Sequence, residues 1–129
     1  MDLQKQVVEM AREDLGNVLL CLNYDIYLIC GYTDLRKSVD GLLDLVQLTY
    51  GMDIEGKVFL FCGRKADRLK ALYKIDDVFF LLYSRYDEGK LQWPRNSEEA
   101  WLLSPGQLNS VLNGMKPDRD SITKIVLCN

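Results

Sequence analysis

From Arg68 to Ile75 the chain alternates, and no other stretch restricts its fold so tightly. Leu69, Ala71, Tyr73 and Ile75 fall on one face of an extended segment, and Arg68, Lys70, Leu72 and Lys74 on the other. This is the period-two pattern of a strand, with a helix over the same residues as the rival reading. The strand is preferred because Asp76-Asp77 makes a tight turn into Val78–Tyr86, an aromatic, β-prone segment, and strands so joined form a hairpin. Asp87-Glu88-Gly89 is a second turn, and Lys90–Trp93 a short strand stopped by Pro94.

Other periods flank this hairpin. Leu3, Val7, Met10, Ala11 and Leu15 stand at helical spacing with Gly16-Asn17 behind them, which predicts a short amphipathic helix over 3–15. Tyr24–Cys30 is an apolar, β-rich strand ended by Gly31. Thr33 then reads as a helix N-cap with Asp34 near the positive end of the dipole. Leu35, Val39, Leu42, Leu43 and Val46 make the apolar stripe of a helix to about Thr49, with Arg36, Asp40 and Asp44 opposite, and Gly51 ends it. Val58–Phe61 is another short strand, followed by the positively charged turn Gly63-Arg64-Lys65. Ser104-Pro105 opens a helix whose buried stripe is Leu108, Val111 and Leu112 and whose stop is Gly114. Ile122–Leu127 reads either as an edge strand or as a loose tail. The predicted class is α+β, a mainly antiparallel β-meander of four to five strands packed with two or three helices.

A chain of 129 residues matches one domain and buries enough surface to fold without staples. Its four cysteines, Cys21, Cys30, Cys62 and Cys128, form no C-x-x-C pair, and there is no histidine. Cys30 and Cys62 each end an apolar run before glycine, as reduced, half-buried thiols do. No metal or other cofactor is expected. The acidic, polar start does not resemble a signal peptide and no apolar run spans a bilayer, so the expected location is the cytoplasm. A net charge of −3 argues by itself against nucleic acid, but its distribution is uneven. Residues 57–95 carry nine basic groups (Lys57, Arg64, Lys65, Arg68, Lys70, Lys74, Arg85, Lys90, Arg95) and five acids (Asp67, Asp76, Asp77, Asp87, Glu88), a local +4 that leaves −7 elsewhere.

Four ordered blocks carry a resemblance. Cys30-Gly31-Tyr32-Thr33-Asp34-Leu35-Arg36-Lys37 with Asp40-Gly41-Leu42, and Val58-Phe59-Leu60-Phe61 through Asp67-Arg68-Leu69-Lys70-Ala71-Leu72-Tyr73, are the first two. Gly89 with Trp93-Pro94, then Leu103-Ser104, Gln107-Leu108 and Leu112-Asn113-Gly114, complete them. In order and spacing they resemble the accessory-protein (TnpB) family of insertion-sequence-66-type bacterial transposable elements, which shares only a name with the RNA-guided nuclease. The resemblance spans 24–116 as a single α+β domain, leaving 1–23 as an N-terminal helical extension and 117–129 as a tail. Asp77 in place of a turn glycine, Glu98-Glu99 and the overall acidity depart from the pattern. The resemblance implies a helper of transposition, encoded beside a larger transposase that carries the strand-transfer chemistry.

No catalytic group is expected. Asp34, Asp40, Asp44 and Asp67 are better explained by helix-start, solvated-face and loop positions than as metal ligands, Arg36 is best explained by pairing with Asp40, and no histidine activates a nucleophile. The expected DNA contacts are Lys37, Arg64, Lys65, Arg68, Lys70 and Lys74, on a basic hairpin surface. The alternative is a protein-interaction module that contacts the transposase or itself, with Trp93 and Trp101 as its surface, unless both indoles cap the core.

Overall fold

The computed structural model describes residues 4–96 and 98–129. Its strands are β1 (Gln4–Glu9), β2 (Asp25–Ile29), β3 (Lys57–Cys62), β4 (Arg68–Ile75), β5 (Val78–Arg85), β6 (Glu99–Leu103) and β7 (Ile125–Leu127). Its α-helices are α1 (Arg12–Leu22), α2 (Val39–Asp44) and α3 (Pro105–Leu112), with α2 running on into a π-helical turn over Leu45–Thr49.

The hairpin forms as its alternation demands. β4 pairs antiparallel with β5 from Arg68↔Arg85 to Ile75↔Val78, and Asp76 turns the corner at φ 52, a left-handed conformation that Asp tolerates. The remaining strands make this a seven-stranded mixed sheet in the order β1-β5-β4-β3-β2-β6-β7. That corrects the expected antiparallel meander of four to five strands. β2 lies parallel to β3 and β1 parallel to β5, while β3–β4, β4–β5, β2–β6 and β6–β7 are antiparallel. The parallel pairing follows from the helical crossover between β2 and β3, since parallel neighbours cannot be joined by a tight turn.

Both faces of the sheet are covered. On one, Ile26, Leu28, Leu60, Leu69 and Ala71 pack with Leu15 and Leu19 of α1 and Leu108 and Val111 of α3. On the other, Tyr27, Phe59, Phe61, Leu72 and Leu81 pack with Val39 and Leu42 of α2 and Val46 of the π-helical turn. The face shared by Arg68, Lys70, Leu72 and Lys74 therefore carries a second core at Leu72, with Lys70 and Lys74 half-buried beside it and Arg68 exposed at the strand's end.

Several local expectations change with it. Residues 4–9 of the predicted helix over 3–15 form a strand along β5, and the helix starts at Arg12; Leu3 lies outside the described residues. Gly16 is inside α1 instead of ending it, and a Cβ there would stand 3.1 Å from Leu112 Cδ1, so the glycine lets α1 close on α3. The helix expected from Thr33 begins only at Val39: before it the Thr33 N–H and the Leu35 carbonyl are taken by Cys62 and Lys70, and the Arg36 and Lys37 N–H groups turn back on Asp34. Lys90–Trp93 is no strand: the Leu91 N–H bonds to the Ala66 carbonyl and the Trp93 indole N–H to the Ile29 carbonyl, outside any ladder. β6 was not foreseen, and the open choice at the C-terminal end resolves as edge strand β7. α3 begins with a full capping box, Gln107 N–H to Ser104 Oγ (3.2 Å) and Ser104 N–H to Gln107 Oε1 (2.8 Å).

Candidate functional site

Strand direction builds the site. The pairings bring the carboxyl ends of β1, β2, β3 and β5 and the amino end of β4 to one edge of the sheet. Open α/β sheets bind ligands outside such strand ends. Here a cleft of about 850 Å³ opens between the loop after β2, the loop after β3 and the ends of β4 and β5.

The two loops hold each other. The Thr33 N–H donates to the Cys62 carbonyl at 2.8 Å, and Lys70 Nζ donates to the Leu35 carbonyl. A Cβ on Gly63 would stand 3.2 Å from Leu35 Cδ1, so glycine permits the close approach. Arg36 is locked to Asp34 in a fork, Nε to Oδ1 at 3.0 Å and Nη2 to Oδ2 at 2.8 Å. The hydrogen bonds from Arg36 hold the Asp34 carboxyl well below the usual carboxylate range. Sequence pairing of Arg36 with Asp40 is thereby replaced by pairing with Asp34.

Positive charge is left over. Arg36, Arg64, Lys65, Arg68 and Lys70 line the cleft against Asp34 and Asp67. The side chains of Arg64, Lys65 and Arg68 make no hydrogen bond or ion pair among the described residues. Arg68 stands directly across from Arg85, which reaches Asp87 at 3.5 Å. Like charges opposed across a ladder are unfavourable by a fraction of a kcal/mol, roughly 0.2–1, and an anion between them removes the conflict. Burial, and then the nearby Arg68, push the Lys70 amine down from its ordinary value, partly offset by Asp34.

The six expected cations are thus divided. Arg64, Lys65, Arg68 and Lys70 share the cleft, although Lys70 also fastens the Leu35 loop. Lys37 is exposed in the loop before α2, outside the cleft lining. Lys74 lies near the far end of β4, half-buried, paired with Glu55 at 3.1 Å and placed over the Phe79 ring. Trp93 and Trp101, expected as an interaction surface, are 5% and 2% exposed. Their indole N–H groups donate to the Ile29 carbonyl and to Glu99 Oε1, both at 2.8 Å, so neither ring faces solvent.

Tyr32 and Tyr83, also in the cleft wall, escaped the sequence reading. The available signal was that β2 and β3 both run into Cys-Gly, which places Gly31-Tyr32 and Gly63-Arg64 side by side once those strands are parallel. Among the described residues no group of three or more Cys, Asp or Glu is placed to hold a metal ion, and no helix is long and apolar enough to cross a membrane.

Sheet and cleft define a small mixed α/β domain that presents, at its strand ends, cations unpaired among the described residues. The chain belongs to the IS66 Orf2 like protein family, whose model matches residues 24–121, and so is an insertion-sequence-associated accessory protein. The family is not a known catalytic one, and membership links the chain to transposition machinery. It is similar to "Uncharacterized protein y4hO" of Sinorhizobium fredii (strain NBRC 101917 / NGR234), 30% identical over 94 residues that cover 72% of this chain and 82% of that protein. No solved structure matches it.

Proposed function

We propose that this protein is a non-catalytic, cytoplasmic helper of transposition that binds the DNA of the element ends through the cationic cleft. Arg64, Lys65 and Arg68 are the phosphate contacts. The observation that carries this reading is that their side chains have no partner among the described residues, together with Arg68 facing Arg85. Lys70 takes the supporting role of holding one wall. A gel-shift titration with element-end DNA at two salt concentrations tests the reading: a shift at micromolar protein that weakens steeply with salt is expected, and no shift in low salt overturns it.

A second reading has its own observation. Edge strand β1 leaves Val7 63% and Val8 39% exposed, an apolar margin suited to a protein partner, the element's transposase. In this reading the chain is an interaction module and the DNA contact is absent. Co-purification with the transposase that survives nuclease treatment, without a gel shift, is the result that favours it.

A further inference from the structure

We infer that the cleft takes an unpaired strand of DNA in preference to the duplex, an inference that rests on the DNA-binding reading above and narrows it. The first ground is size. At about 850 Å³ the cleft falls within the roughly 300–1,000 Å³ of pockets that engulf small molecules. That is room for a short run of nucleotides, whereas a duplex meets a protein over a much broader front.

The second ground is the wall chemistry. Between the cations the cleft offers Tyr32, which is 40% exposed, together with Tyr83, Leu35 and Val7. Apolar and aromatic surface beside phosphate contacts has no use for paired bases, whose faces are already stacked. It suits unpaired bases, which stack on aromatic rings whatever their sequence. Both rings are held before any ligand arrives: the Arg95 guanidinium lies 5.7 Å from the Tyr32 centroid, and the Tyr83 hydroxyl donates to Glu9 Oε2 at 2.8 Å. Pre-set rings lose little freedom on binding.

The third ground is the charge map. A duplex carries one phosphate charge per roughly 1.7 Å of axis on a wide cylinder and rewards a broad basic face. This chain is net −3, with −7 outside residues 57–95, and Arg64, Lys65 and Arg68, whose side chains are unpaired among the described residues, stand together along one cleft. One backbone can follow that track without meeting the acidic remainder.

Fluorescence anisotropy with labelled 12-nucleotide strands of the element end, the matching duplex, and the variants Tyr32→Ala and Tyr83→Leu tests this. The single strand is expected to bind at least about tenfold tighter than the duplex at equal salt. Each tyrosine variant, with its thermal melt checked, is expected to lose about fivefold or more toward the single strand and to keep its duplex affinity. Equal or tighter duplex binding, or single-strand affinity unchanged in both folded variants, overturns the inference and leaves the DNA-binding reading standing. Absence of binding to either form overturns both.

Discussion

Burial decides what the cysteines of this chain do. Cys30 and Cys62 lie at the ends of β2 and β3, and desolvation pushes both thiols up to about 12, with Glu99 adding to the first and Asp67 to the second. Thiolate is the reactive form, so both are inert at neutral pH. Iodoacetamide at pH 8 is expected to label exposed Cys21 on the native protein and spare Cys30 and Cys62, read by peptide mass spectrometry; modification of either buried thiol without unfolding contradicts this. Tyr86 is a comparable case. Its hydroxyl donates to the Leu112 carbonyl at 2.7 Å in a buried contact that ties the end of β5 to the end of α3. Tyr86→Phe strands that acceptor and should cost about 1–2 kcal/mol in a urea melt. Glu99 sets an acid dependence: its carboxyl is lowered from 4.5, first by the Trp101 indole N–H and then by Arg119. A folded pKa below the unfolded one means stability that is full above about pH 4.5 and lost as pH falls through the folded value. Glu99→Gln should therefore flatten the loss of stability between pH 5 and 3; an unchanged acid limb contradicts the assignment.

At the scale of elements, β4 shows what the sequence makes legible. Its alternation, its turn at Asp76-Asp77 and its pairing with β5 could all be read from residue types, because a hairpin is local. The start of α3 at Ser104-Pro105 was legible for the same reason, although its capping partner Gln107 was not read. What was not legible is non-local. Val7 and Val8 fit a helical stripe until β5 supplies a ladder to pair with, and Leu35 fits the stripe of α2 until Lys70 and Gly63 hold it elsewhere. The apolar run over β2 and the one over β3 were both found, but their parallel pairing, which brings the cleft loops together, depends on where the crossover lies. The same strand separates two cations that look equivalent in sequence. Arg68→Ala should leave the melt within about half a kcal/mol, or raise it slightly by relieving Arg85. Lys70→Ala releases the Leu35 loop and should cost about 1–2 kcal/mol. Equal effects on stability would show that Lys70 is not a support.

For the whole molecule, the segment ahead of the family match is part of the fold. β1 completes the sheet beside β5, and α1 sinks Leu15 and Leu19 into the core against α3. Residues 24–129 alone are expected to lose cooperative thermal unfolding and near-UV dichroism, and a native-like melt of that fragment would contradict the two-layered core described above. The fold thus supports a cleft lined by Arg64, Lys65 and Arg68, whose side chains are unpaired among the described residues and which the proposed function makes its phosphate contacts. The most direct test is the slope of log affinity against log salt for element-end DNA. With three phosphate contacts the slope should be about −2 to −3, and about −1 for the double variant Arg64→Ala/Arg68→Ala, whose melt stays intact. An unaltered slope in that variant, or wild-type binding indifferent to salt, would contradict the cleft as the site of DNA binding.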